Sequence, residues 1–195
     1  LRQALNEAGS SDFVQAEIHI LGGLMPDSEE AFDASRLIPV LGSLGEIHNW
    51  KQYCTRQERA LPCDIHADTG MTRLGLPPDE LARLDIEPSR VDGLNIHYVL
   101  SHLACADEPD HAKNAEQLAA FHHVRRILPQ GRASLANSSG IFLGSDFHFD
   151  LARPGAALCG LAPVPGRANP MAQVVRLQGK IAQVRDVDTP QTVGY

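Results

Sequence analysis

The chain has 195 residues, 43% of them hydrophobic and 21% charged, and 24 acidic against 17 basic residues give a formal net charge of -7. That length can bury a sizeable core without covalent staples. There is no run of roughly 18 apolar residues to cross a bilayer, no signal-peptide pattern, and the acidic balance argues against a phosphate-backbone binder. Cys54, Cys63, Cys105 and Cys159 form no C-x-x-C pair, so they read as buried or half-buried thiols of a reducing compartment, here the cytoplasm. Leu1 opens a segment that is already helical, and Tyr195 follows a Val-Gly step in a strand-like stretch. The chain therefore reads as an internal piece of a longer protein.

Short apolar runs alternate with longer amphipathic ones. Residues 1–8 suggest a helix stopped by Gly9. Residues 16–21 alternate as a strand and end at Gly22-Gly23, and Pro26 with the acids after it opens a helix over 27–35. Residues 37–41 are a short apolar strand, and Ser43 with Glu46 has capping-box spacing. A strand over 62–67 runs into the turn-rich DTGMTRLG, and Pro77-Pro78-Asp79-Glu80 opens a helix. Residues 91–102 are the next strand, 110–128 the longest helix, closed by Pro129, and 132–136 another strand. Asn137-Ser138-Ser139-Gly140 starts a helix, and 150–158 holds a further strand with a tight Arg-Pro-Gly turn.

Six strand-loop-helix repeats predict a parallel sheet with right-handed crossovers, either an open doubly wound sheet or a closed barrel. Six units fall short of the eight a barrel needs, a deficit that a missing N-terminus explains. The pattern changes after Pro163. VPGRANP is linker-like, and 173–187 alternate in the antiparallel manner, as the start of a second, all-β domain. The expected division is an α/β barrel part over 1–165 and the beginning of a β domain over 166–195.

The chemistry-bearing motifs follow predicted strands, where parallel barrels carry their active sites. In the first, Gly70 permits a turn and Arg73 offers a planar fork for a carboxylate or phenolate, or is a plain surface arginine. In SHLACADE, His102 ends an apolar strand, as a hydrogen-bonded core residue or a catalyst. Ser138 in ANSSG can cap a helix or, with free backbone N–H groups, bind a phosphate. In Arg153-Pro154-Gly155-Ala156 the small Gly155 lets an anion approach the backbone, so this turn and Ser138 can converge on one phosphate. His66, Asp68 and the group Asp146, His148, Asp150 are liganding types, but no second His/Cys pair at zinc spacing supports them, and no metal is expected.

Taken together, DTGMTRLG, SHLACADE, ANSSGIFL, DLARPGAALCGL and the closing VGY resemble alanine racemase, in that family's order and across nearly the whole chain. The resemblance implies an eight-stranded α/β barrel followed by a β domain, a head-to-tail homodimer, pyridoxal 5'-phosphate as cofactor, and alanine as the small amino-acid substrate. It implies L- to D-alanine interconversion by two-base proton transfer, supplying D-alanine for peptidoglycan. By the same resemblance, Ser138 binds the cofactor phosphate with the N–H groups of Gly155 and Ala156, and Arg153 faces the pyridine nitrogen. His102 links that arginine to the catalytic tyrosine. Arg73 lies near the cofactor's 3'-oxygen and the substrate carboxylate, with Met71 beside the substrate. Leu21 packs beside the cofactor, and Tyr195 is a base acting on the partner subunit's substrate.

The sequence departs from the family at three points. Lys51, Lys113 and Lys180 are the only lysines, and none stands in the AxxKAxAYG context of the cofactor lysine, so this chain alone is expected to be inactive. Where many members carry a carbamylated lysine two residues before the DTGM aspartate, this chain has His66. The later β-domain residues of the substrate site are absent. Competing readings are a non-catalytic pyridoxal-phosphate-binding barrel protein, a racemase for another small amino acid such as serine, and a metal-dependent hydrolase using His66, Asp68 and His102.

Overall fold

The computed structural model describes residues 2–7 and 16–192. In chain order it contains α1 (Arg2–Glu7), β1 (Ile18–Ile20), α2 (Glu29–Ala34), β2 (Leu37–Leu41), α3 (Leu44–Arg56) and β3 (Pro62–His66). These are followed by α4 (Pro78–Ile86), β4 (Asn95–Leu100), α5 (Ala112–Ile127), β5 (Arg132–Ser134) and α6 (Gly155–Leu158). The strands form one parallel sheet in the order β1-β2-β3-β4-β5. The order runs without the reversal that defines a doubly wound sheet.

Alternation along the strands separates two faces. One face carries Leu41, Cys63, Ile65, Val99 and Ala133, which join Phe32 of α2, Ile47 and Trp50 of α3, Leu84 of α4 and Phe121 of α5 in a single apolar cluster. Burial of these side chains holds the helices onto the sheet, at about 1.5–3 kcal/mol for each fully buried large residue. The other face is mixed: Asp64, His66 and Ser134 lie on it beside Ile38, Val40 and Leu100, all buried. There His19 Nδ1 contacts Asp64 Oδ2, and Tyr98 N–H donates to Asp64 Oδ1 at 3.0 Å. The hydrogen bond to Asp64 raises the His19 pKa against the opposing effect of burial.

Local chemistry sets the helix starts. Ser43 Oγ accepts the Glu46 N–H at 3.2 Å, as its spacing predicts. Pro78 and the acids Asp79 and Glu80 occupy the first turn of α4. The long helix begins at Ala112, because His111 Nδ1 caps the Lys113 N–H at 3.1 Å.

Three expectations are corrected. Residues 150–158 do not form a sixth strand. Asp150 N–H and Arg153 N–H donate to Ala133 O and Ala136 O, Asn137 and Arg153 form one isolated bridge, and then Pro154, which has no N–H to continue a ladder, leads into α6. The ANSSG segment leads into a 3-10 turn, Gly140–Leu143, in place of an α-helix. Residues 173–187 adopt no strand, and all of them are exposed. A strand is stable only through its ladder partners, and among the described residues nothing pairs with this segment. Cys54 and Cys63 are buried, whereas Cys159 is exposed.

Candidate active site

The turn after β3 is built around Asp68. Its Oδ1 accepts the N–H groups of Gly70, Met71 and Thr72 at 2.9, 3.0 and 3.1 Å, so the carboxylate is committed to shaping the loop. The loop closes where Leu76 N–H donates to His66 O at 2.8 Å and Asp68 N–H to Leu76 O at 2.9 Å. Gly75 makes this possible: its φ is +103°, and a Cβ there would stand 2.8 Å from Asp68 N. The turn presents Arg73, exposed, and Met71, half-buried. Leu21, Gly22, Gly42, His66 and Arg73 line a cleft of about 210 Å³ at the carboxyl ends of β1–β3. Glu46, from the first turn of α3, braces it by accepting the N–H groups of Leu24 and Gly42 at 3.2 and 3.0 Å.

Arg153 is seated at the ends of β4 and β5. Its Nη1 donates to Ser134 Oγ and its Nη2 to the carbonyls of Ser101 and Leu135. All these acceptors are neutral, and Arg153 Nε is buried with no partner. Burial lowers the Arg153 pKa to about 10, with Asp64 opposing, so the guanidinium stays charged at neutral pH. Burial, then Arg153 and Arg73, push the His102 imidazole down to about 4. Burial, then Arg153 and His102, do the same to His66, with Asp68 opposing. Both imidazoles are therefore neutral at pH 7. The structure thus brings Arg73, His66, His102 and Arg153 within electrostatic reach of one another. The set has two fixed positive charges, two neutral imidazoles, and an unused guanidinium N–H, and it suits a planar polar group with an anionic arm.

Ser138 is buried, and its Oγ accepts the Ala157 N–H at 3.0 Å. This bond joins the strand end after β5 to the first turn of α6, where Gly155 and Ala156 stand at positions whose N–H groups have no intrahelical acceptor. A Cβ on Gly155 would meet nothing within 4 Å, so the backbone is open to an approaching ligand there. Leu21 is 46% exposed at the rim. Tyr195 lies outside the described residues. Among the described residues, no cluster of three or more His, Cys, Asp or Glu side chains could hold a metal ion.

Sequence reasoning missed the supports. Ser134 and the Ser101 carbonyl that hold Arg153, and Gln117 of α5, were not singled out, and Glu46 was read only as the partner of Ser43 at the start of α3. Ser134 had a signal, a polar residue on a short apolar strand. Gln117 had one too, an amide on the stripe that also carries the buried Asn114, Phe121 and Val124.

The sequence model of the family described as alanine racemase, N-terminal domain, matches residues 3–163. Among curated relatives, an alanine racemase of Rhodospirillum rubrum is 49% identical over 98% of this chain and 56% of its own length. A catabolic alanine racemase of Mesorhizobium japonicum is 49% identical over 92% of this chain and 47% of its own. A crystal structure of alanine racemase from Bartonella henselae with covalently bound pyridoxal phosphate superposes with a TM-score of 0.79 at 38% identity, covering 88% of this chain and 50% of that one. The chain spans about half the length of the curated relatives it matches. The chain belongs to the alanine racemase family.

Proposed function

We propose that the protein to which this chain belongs racemises alanine with pyridoxal 5'-phosphate, as a homodimer in the bacterial cytoplasm, supplying D-alanine for peptidoglycan. In this reading the sheet is part of a closed eight-stranded barrel, and the chain passes into a β domain near residue 166. The observation that carries it is the meeting of Arg73, His102 and Arg153 at the carboxyl ends of the strands, in the family's motif order. The residues suit the cofactor on their own chemistry. Two guanidiniums act on the neutral imidazoles of His66 and His102, one guanidinium N–H is orphaned, and an open glycine backbone stands beside a buried serine. When bound, the cofactor supplies an electron sink for negative charge at the substrate α-carbon.

The chain's own groups divide the remaining work. Ser138 and the N–H groups of Gly155 and Ala156 hold the phosphate at the start of α6, the Gly155 N–H exchanging its 3.0 Å bond to Arg153 O for the dianion. Arg153 faces the pyridine nitrogen and, being charged itself, keeps a proton off it. Arg73 holds the substrate carboxylate with Met71 alongside, and Leu21 packs against the cofactor. Tyr195 serves one face of the partner subunit's substrate, taking or returning the proton at the α-carbon. An unperturbed phenol has a pKa of about 10 and is a weak base. A hydrogen bond to neutral His102, itself backed by cationic Arg153, favours the phenolate. None of the three lysines stands in the family's cofactor-lysine context, so the chain by itself is inactive.

The test is solvent-deuterium exchange at the α-carbon of each alanine enantiomer, in a racemase that includes this chain, wild type against Tyr195→Phe. Racemisation is expected to be mostly lost while exchange of one enantiomer survives. Equal loss for both enantiomers, or no loss, overturns the face-specific role. A wild-type protein that leaves L-alanine unchanged overturns the reading itself.

A further inference from the structure

We propose that Gln117 is a positioning residue of this site, fixing the loop that carries Arg73 against the strand end that carries His102; the inference rests on the racemase reading. Gln117 lies near the middle of α5 and is fully buried. Its Oε1 accepts the Ala104 N–H at 2.9 Å. Its Nε2 donates to His102 O at 2.9 Å and to Thr69 Oγ1 at 3.2 Å. Thr69 Oγ1 in turn shares a hydrogen bond with Ser101 Oγ at 2.7 Å, and the Ser101 carbonyl receives Arg153 Nη2. One amide therefore joins the turn after β3, the end of β4 and, through two hydroxyls, the seat of Arg153.

The amide is out of place unless it serves that junction. It occupies a helix stripe with Phe121 and Val124, where a leucine of similar size would bury more apolar surface. A buried amide costs about 1–3 kcal/mol unless its hydrogen bonds are made, and here both of its ends are used. Its partners sit next to the residues that touch ligand. Thr69 adjoins Asp68, which shapes the Arg73 turn, and His102 O belongs to the histidine itself. The turn also packs directly on α5, since a Cβ on Gly70 would come within 3.3 Å of Lys113 Cε and 3.6 Å of Gln117 Cγ. Loss of the clamp leaves the sheet and its apolar cluster intact and frees two loops to move relative to each other. A misplacement of about 1 Å costs up to about 100-fold in rate.

The test uses a racemase that includes this chain, in both cofactor-loaded and cofactor-free forms. Gln117→Glu keeps the shape and the acceptor for Ala104 N–H but sets an oxygen against His102 O. It is expected to lower kcat by about 10- to 100-fold with the alanine KM near wild type, and the unmade buried hydrogen bonds lower the melting temperature by several degrees without unfolding the protein at the assay temperature. Thr69→Val removes the hydroxyl that bonds both Gln117 and Ser101 and leaves the amide's bonds to Ala104 and His102 in place; it is expected to lower kcat by about tenfold, with Thr69→Ser restoring most of it. In the cofactor-free protein, Gln117→Glu is expected to shift the His102 imidazole NMR resonances while Ala104 amide exchange stays slow. A kcat within about twofold of wild type for Gln117→Glu overturns the proposal, as does a kcat loss that recovers at a lower assay temperature, or Thr69→Ser no better than Thr69→Val. Where the Gln117 variants fail to fold, the Thr69 pair decides. If the wild type does not racemise alanine, the functional reading fails separately, and the His102 resonances still decide the clamp: unmoved in Gln117→Glu, they overturn it.

Discussion

Acidification is expected to destabilise this fold through His66. His66 is 7% exposed on the mixed face of the sheet, and burial together with Arg153 and His102 pushes its pKa to about 4 from 6.5. Between these values the unfolded chain binds a proton that the folded chain refuses. The stability contributed by neutral His66 is thus complete above about pH 6.5, falls as the pH drops towards 4, and levels off below. The fall from 6.5 to about 4, at about 1.4 kcal/mol per pH unit, sets an upper value of about 3.5 kcal/mol, a large part of a typical total of about 5–15 kcal/mol. His102 acts in the same direction, since its pKa is also pushed to about 4, but by less, because it is more open to solvent. His19 has the opposite sign: Asp64 raises its pKa, so its contribution is complete below about pH 6.5 and is lost as the pH rises through its folded value. The assay is urea unfolding from about pH 4.5 to about pH 7 for wild type and His66→Gln. The variant is expected to lose up to about 1.4 kcal/mol per pH unit from the slope near pH 5, and little of it above about pH 6.5. An unchanged slope, or a His66 imidazole titrating near pH 6.5 by NMR, refutes the reasoning.

In a racemase that includes this chain, Ser138→Ala and Arg153→Glu are expected to fail differently. The serine variant removes one charge-assisted hydrogen bond, worth about 1.5–3 kcal/mol, and weakens cofactor binding by about 10- to 100-fold, as a titration of the cofactor-free protein reads out. Arg153→Glu invites a proton onto the pyridine nitrogen and changes kcat and reaction specificity, seen as side products in turnover; equal losses of cofactor affinity and nothing else would remove that role from Arg153. Gly75→Ala places a Cβ 2.8 Å from Asp68 N at a φ of +103° and is expected to cost more than about 1 kcal/mol of stability, measured by urea unfolding. A variant as stable as wild type would show that the turn after β3 is not held as described.

The turns and helix starts were legible because their chemistry is local. Asp68 bonds to N–H groups two, three and four residues on, and Ser43 bonds to Glu46 three residues on, so spacing alone announces them. The strands β2, β3 and β4 announce themselves by apolar runs between such turns, and the ordered motifs were enough to mark the family. Other features depend on residues far apart in the chain, and no local pattern encodes them. Arg153 is seated on Ser101 and Ser134, 52 and 19 residues away, and Gln117 reaches Thr69 across 48. The neutral state of His66 and His102 is set by burial and by two arginines brought near only by the fold. The alternating residues 173–187 show the same division from the other side. Their sequence carries strand periodicity, but a strand forms only when a second segment offers its N–H and C=O groups, and among the described residues the tertiary structure places none there.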